Sequence, residues 1–188
     1  RLGTGTASSS TVLYGDQTYK AEPGGGKVGQ VVTVTRTTKY QSNSASYTDM
    51  GGTHCTLTPA ASTSKILIIV TWNYSGNNDD IYGKGFVDVD IGGAGFNFIG
   101  LGTGTLGSRT ACSFTVDSGF TNNVGDHMYN ASYSILHEPS TTSELKYRYG
   151  GYYAATSHWL GVNMTSNDTD TADTPRTSSS ITAMEILA

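Results

Sequence analysis

The sequence predicts an all-β protein: a jelly-roll-like antiparallel β-sandwich preceded by an extended Gly/Ser/Thr-rich stalk segment. Three observations lead there. Ser and Thr supply about a quarter of the 188 residues and Gly another 24, a bias that suits pleated surfaces and tight turns over helices. Apolar residues alternate with polar ones in a series of short segments, which is the period of a half-buried strand. No ten-residue window carries a helical period of 3.6.

The elements follow in order. Residues 1–26 hold too little apolar surface to bury and end in "EPGGGK", a hinge-like stretch of Pro and Gly. The domain then runs over 27–188. Its first strand is Gln30–Thr37, with Val32 and Val34 on one face. Thr53–Thr58 places Cys55 and Leu57 together. Lys65–Tyr74 is apolar on both faces, with Ile66, Ile68, Val70 and Trp72 on one and Leu67 and Ile69 on the other. Only one face of a sandwich strand meets the core, so Leu67 and Ile69 are candidates for a subunit interface. Gly85–Ile91 turns Val87, Val89 and Ile91 inward and Asp88 and Asp90 to solvent. Arg109–Val116 turns Cys112, Phe114 and Val116 inward. Then come His127–Glu138, Glu144–Tyr149 (Leu145, Tyr147 and Tyr149 inward) and His158–Met164. The last strand is Ser180–Leu187. A final strand stays ordered when it is tied into a sheet, and the first strand, Gln30–Thr37, is its expected neighbour.

Composition bounds the function. The formal charge is −4 with no Lys/Arg run, which argues against nucleic acid as a partner. The longest apolar run, Ile66–Val70, is far short of a helical membrane span, so no membrane insertion is expected. Residue 1 is Arg, so the chain is expected to begin inside a longer protein or after processing. Two cysteines without a CxxC make neither a disulfide framework nor a cysteine zinc site. Both are expected to be buried free thiols.

The order of several segments resembles a known family. "GTASSSTVLYGDQTYKA" (Gly5–Ala21), "KVGQVVTVTRTTKYQSNSASYTDM" (Lys27–Met50), "LTPAASTSKILIIVTWN" (Leu57–Asn73) and "DTPRTSSSITAMEI" (Asp173–Ile186) are similar to the C-terminal part of bacteriophage tail-fibre and related virion fibre proteins. The resemblance implies a homotrimeric β-sandwich knob on a stalk, assembled in the host cytoplasm with other virion proteins. It also implies adsorption to a host cell-surface glycan or protein. A capsid decoration or head-fibre protein is the second reading. A non-catalytic fragment of a polysaccharide depolymerase is the third.

Motifs for chemistry are sparse. "GTGTLG" (Gly102–Gly107) has the letters of a dinucleotide loop but precedes a strand where that fingerprint needs a helix. Asp88 and Asp90 have the separation of a glycosidase pair, yet two acids two apart on a strand are ordinarily its wet face. Asn78–Asp80 and Asp168, Asp170 and Asp173 could offer oxygens to calcium, without EF-hand spacing. The four histidines form no HxH or HExxH, and no GxSxG occurs. No catalytic residue, metal or cofactor is expected. The densest aromatic stretch is "YRYGGYYAATSHW" (Tyr147–Trp159). Tyr152, Tyr153 and Trp159 are left over after the core is filled. They are the candidate glycan contacts, because an aromatic face stacks on apolar surface while its polar edge stays wet.

Overall fold

The computed structural model describes residues 4–8, 11–21, 27–50, 52, 54–76, 82–104, 106–117, 127–153 and 158–187. Fourteen strands lie in them: β1 (Thr11–Leu13), β2 (Tyr19–Ala21), β3 (Lys27–Arg36), β4 (Tyr40–Ser42), β5 (Thr48–Asp49), β6 (Cys55–Leu57), β7 (Lys65–Gly76), β8 (Tyr82–Ile91), β9 (Phe96–Ile99), β10 (Phe114–Asp117), β11 (Tyr129–His137), β12 (Leu145–Tyr152), β13 (Leu160–Val162) and β14 (Ser179–Leu187).

Eight of these strands nest. β3 pairs β14, β6 pairs β12, β7 pairs β11 and β8 pairs β10, all antiparallel. β14 also pairs β7, and β12 also pairs β8. Two sheets result, β3-β14-β7-β11 and β6-β12-β8-β10. First beside last and second beside second-last is the jelly roll, an antiparallel sandwich wound from a folded hairpin. The expected contact of the last strand with the first is present along nearly the whole of β14. Short strands continue the sheets end to end: β13 and β4 beyond β14, β9 beyond β10, and β5 beyond β6.

The core lies between the sheets. Ile66, Ile68, Val70, Trp72 and Tyr74 of β7 face Val87 and Val89 of β8 and Leu145, Tyr147 and Tyr149 of β12, all buried. The alternation read from the sequence therefore points the right way in these strands. Glycines of β7, β8 and β12 make room for the rings: a Cβ on Gly83 would sit 2.9 Å from Tyr153, and one on Gly151 would sit 2.9 Å from Trp72.

Polar side chains lock the joints. Buried Asn163, at φ 59°, spans the junction where β13 gives way to β14. Its amide donates to Arg36 O at 2.9 Å and Thr38 O at 3.2 Å, and its Oδ1 accepts from Ser179 Oγ at 2.6 Å. Glu185 sits buried at the β-bulge of β14. Its oxygens accept from Ala60 N at 2.6 Å and Gln30 Nε2 at 2.9 Å. Burial works to raise its pKa, but the hydrogen bonds from Gln30 and Ala60 hold it below the ordinary value.

Several expectations need correction. The N-terminal segment is not uniformly extended. β1 and β2 form a local hairpin, with Tyr14 N donating to Thr18 O at 2.9 Å and Gln17 at φ 61°. Within "EPGGGK", residues 22–26 lie outside the described residues. The segment Arg109–Val116 becomes strand only from Phe114, and Cys112 is half-buried where a buried thiol was expected. Both cysteines are free. Asp88 does not face solvent; it is buried.

Candidate functional site

The site grows from a register. On the outer face of β8 and β12, Asp88 stands directly opposite Arg148, and Phe98 of β9 stands opposite Asp88 on its other side. Arg148 Nε donates to both Asp88 oxygens at 3.0 Å, and Nη2 donates at 2.9 Å. A carboxylate taken out of water needs such a partner. Burial pushes the Asp88 carboxyl above its usual value, and Arg148 pulls against it. Burial also works against the guanidinium charge, but Asp88 holds the Arg148 pKa above its ordinary value.

A loop covers this pair. Gly150 of β12 lacks a side chain where the Tyr47 ring lies; a Cβ there would sit 2.8 Å from that ring. Tyr47 thus crosses the sheet, and its hydroxyl donates to Asp88 Oδ1 at 3.1 Å. Burial pushes that hydroxyl well above the ordinary tyrosine range, so it stays a donor. Arg148 is capped by the Phe96 ring, 3.5 Å from its centroid, and lies 5.4 Å from the Tyr47 centroid. Asp49 stands 3.8 Å from Arg148, and its Oδ2 lies within hydrogen-bond distance of His54 Nε2, at 2.8 Å.

Beside the covered pair is a recess of about 330 Å³. Its walls are Tyr47, Phe86, Phe98 and Tyr152, with Ala45, Ser46, Thr110 and Ala111. Phe86 is buried and forms the floor. It stacks on Tyr152 (5.8 Å, 7°), lies 4.7 Å from Phe98 and meets Tyr47 edge-on at 5.8 Å. Phe98 is 43% exposed. The cluster holds rings and hydroxyls around the Asp88–Arg148 ion pair.

The structure sorts the expected residues unequally. Tyr152 lines the recess. Tyr153 does not reach it: its ring is 2% exposed and lies against Gly76 and Gly83, so the reading of it as a surface contact is overturned. Trp159 is half-buried over Gly161 of β13, in the other sheet, and is no part of the recess wall. Leu67 and Ile69 are half-buried on the outer face of β7, as the two-sided strand implied.

Sequence reasoning missed Tyr47, Phe86 and Phe98. The signal available was "GFNF" after a strand, an aromatic pair out of place in a Gly-rich loop. A second recess, of about 260 Å³, is lined by Asp168, Thr169, Asp170, Thr171, Thr174 and Arg176. There Asp168 is bound by Lys39 and Arg176, which leaves it ill-placed as a calcium ligand. The Asn78–Asp80 stretch lies outside the described residues. Among the described residues no group of three His, Cys, Asp or Glu is placed to hold a metal ion.

The chain matches no protein-family model and no curated protein sequence. Among solved structures it is similar to a chain from the structure of infectious bursal disease virus Gx strain, at 10% identity and a TM-score of 0.32. That likeness covers 94% of this chain and 43% of the viral one, less than half of its length.

Proposed function

We propose that this chain is a component of a bacteriophage virion fibre: a homotrimeric, non-catalytic knob that adsorbs the particle to its host. The order of the resembling segments motivates the reading, and a jelly roll is compatible with it. The observation that carries it is an apolar row on the outer face of the first sheet. Val31, Met184, Leu67 and Leu136 stand in register across β3, β14, β7 and β11. Val31 is 52% and Leu136 49% exposed. Such a row, with Ile69 beside it on a surface rich in Thr and Ser, supports a contact with another chain. Trimeric assembly through Leu67 and Ile69 fits it.

The test has two arms. Sedimentation equilibrium of the chain at micromolar concentration is expected to give three copies. Added protein is expected to compete with particles for host cells. A monomer that does not compete sinks the proposal. Electron-microscopic density on the head shell, in place of the tail, moves the assignment to a decoration or head-fibre protein.

A further inference from the structure

We propose that the recess between Tyr47, Phe86, Phe98 and Tyr152 binds a neutral saccharide ring. This deepens the adsorption reading by naming the ligand class, yet it concerns the chain alone, so the two fail separately.

Three features argue for that class. First, the aromatic wall is preorganised. The Phe86 and Tyr152 planes stack within 7° of parallel at 5.8 Å, and Phe98 leans on Phe86 at 4.7 Å. Rings locked by one another lose little freedom when a ligand arrives, and aromatic faces accept the C–H side of a sugar ring. Second, hydroxyls flank the floor. Ser46 and Thr110 both line the recess and are exposed, placed to meet the hydroxyl edge of such a ring. Third, the charge beneath is spent. Arg148 gives its hydrogen bonds to Asp88 and also faces Asp49. Lys84 is no part of the wall and lies 5.2 Å from the Tyr152 centroid. Among the described residues, no uncommitted cation therefore lines the wall to select a carboxylated or phosphorylated sugar. The volume, about 330 Å³, falls at the small end of ligand clefts, roughly 300–1,000 Å³. It suits one or two rings and not a folded partner.

Saturation-transfer-difference NMR on the full chain tests this. The probes are methyl glucoside, methyl galactoside and N-acetylglucosamine, with glucuronic acid as the charged counterpart, each at millimolar concentration. At least one neutral sugar is expected to give transfer, strongest on its ring C–H protons. Phe98→Ala and Tyr152→Ala are each expected to weaken it at least tenfold, and Phe98→Tyr to retain it. Amide spectra of each variant report that the fold is intact. The proposal is overturned if no neutral sugar shows transfer, or if transfer persists in both alanine variants. It is equally overturned if glucuronic acid binds as well as the best neutral sugar.

Discussion

On the outer face of the β3-β14-β7-β11 sheet three rows run in register: Val31–Met184–Leu67–Leu136, Thr33–Thr182–Ile69–Ser134 and Thr35–Ser180–Thr71–Ser132. On the outer face of the other sheet the row is Phe98–Asp88–Arg148, and a tyrosine from a loop lies over it. Both faces come from strands with the same alternation. The first is a surface rich in hydroxyls, broken by one apolar row and by Ile69, and nothing of the described chain buries Val31 or Leu136. The second carries its own small interior of rings and an ion pair. Alternation therefore identifies the core side of a strand and says little about the other side. What decides that side is whether a loop has a place to land, and here Gly150 provides it.

Two adjacent residues on opposite faces of one chain segment should separate the two environments most strongly. Tyr153→Ala empties a buried site in the core and is expected to cost about 3–5 kcal/mol. Tyr152→Ala, on the recess side, is expected to cost about 1 kcal/mol. Urea midpoints measure both. Equal losses would mean that the covered face is as much a core as the interior.

Next in size is the buried pair. Arg148→Met leaves Asp88 uncompensated. Because the Arg148 side chain is 20% exposed, the cost should fall near the lower end of the range for broken buried pairs, about 3 kcal/mol. Adding Asp88→Leu is expected to restore most of that, since the hydrophobic replacement has no charge to desolvate. A double variant as unstable as the single one would show that the Tyr47 hydroxyl bond dominates. Gly150→Ala should cost about 1–3 kcal/mol by pushing the Thr48 carbonyl and the Tyr47 ring off the sheet, with a matching change in tyrosine near-UV signal.

Acid acts on the first sheet at two positions. His137 Nδ1 lies 2.8 Å from Tyr147 Oη across the core, and burial lowers its pKa from 6.5. The folded chain thus holds fewer protons there than the unfolded one. Its contribution is complete above 6.5 and declines as pH falls below it. Glu185, also depressed, contributes fully above 4.5 and less as pH falls through that region. Stability should fall in two stages on acidification. His137→Gln should flatten the first stage and Glu185→Gln the second, as read by denaturant midpoints against pH.

The smallest effect on stability is expected on the bare face. Leu136→Lys should change the unfolding free energy by less than about 0.5 kcal/mol, while reducing any self-association seen by sedimentation. A large stability loss with no change in assembly would mean that Leu136 is covered within its own chain.

Much of the fold was legible. Period-two alternation located the principal strands and their inward residues, such as Tyr147 and Val89, because burial on one face leaves a local trace. The pairing of β14 with β3 was readable from the ordering of a terminal strand. β4, β5 and β9 were not, since two to four residues carry no period. The site was less legible. "VDVD" looks the same whether Asp88 meets water or Arg148, and that choice depends on residues 41 and 60 positions away. Tyr153 was misassigned for a related reason. A ring that fits only because Gly76 and Gly83 lack side chains leaves its mark in other strands.

The nested winding has a consequence for how the chain reaches its native state. β3 is made early, yet its sheet partner, β14, pairs Leu187 with Lys27. Until then neither edge of β3 is paired within its sheet, and its valine-lined face has no permanent neighbour. Contacts so remote in sequence close slowly, on the millisecond-to-second scale typical of β-sandwiches. During synthesis that waiting edge is exposed to copies of itself on neighbouring ribosomes. The alternating threonines and Arg36 along β3 are thus a safeguard for a half-made molecule as much as a surface for a finished one.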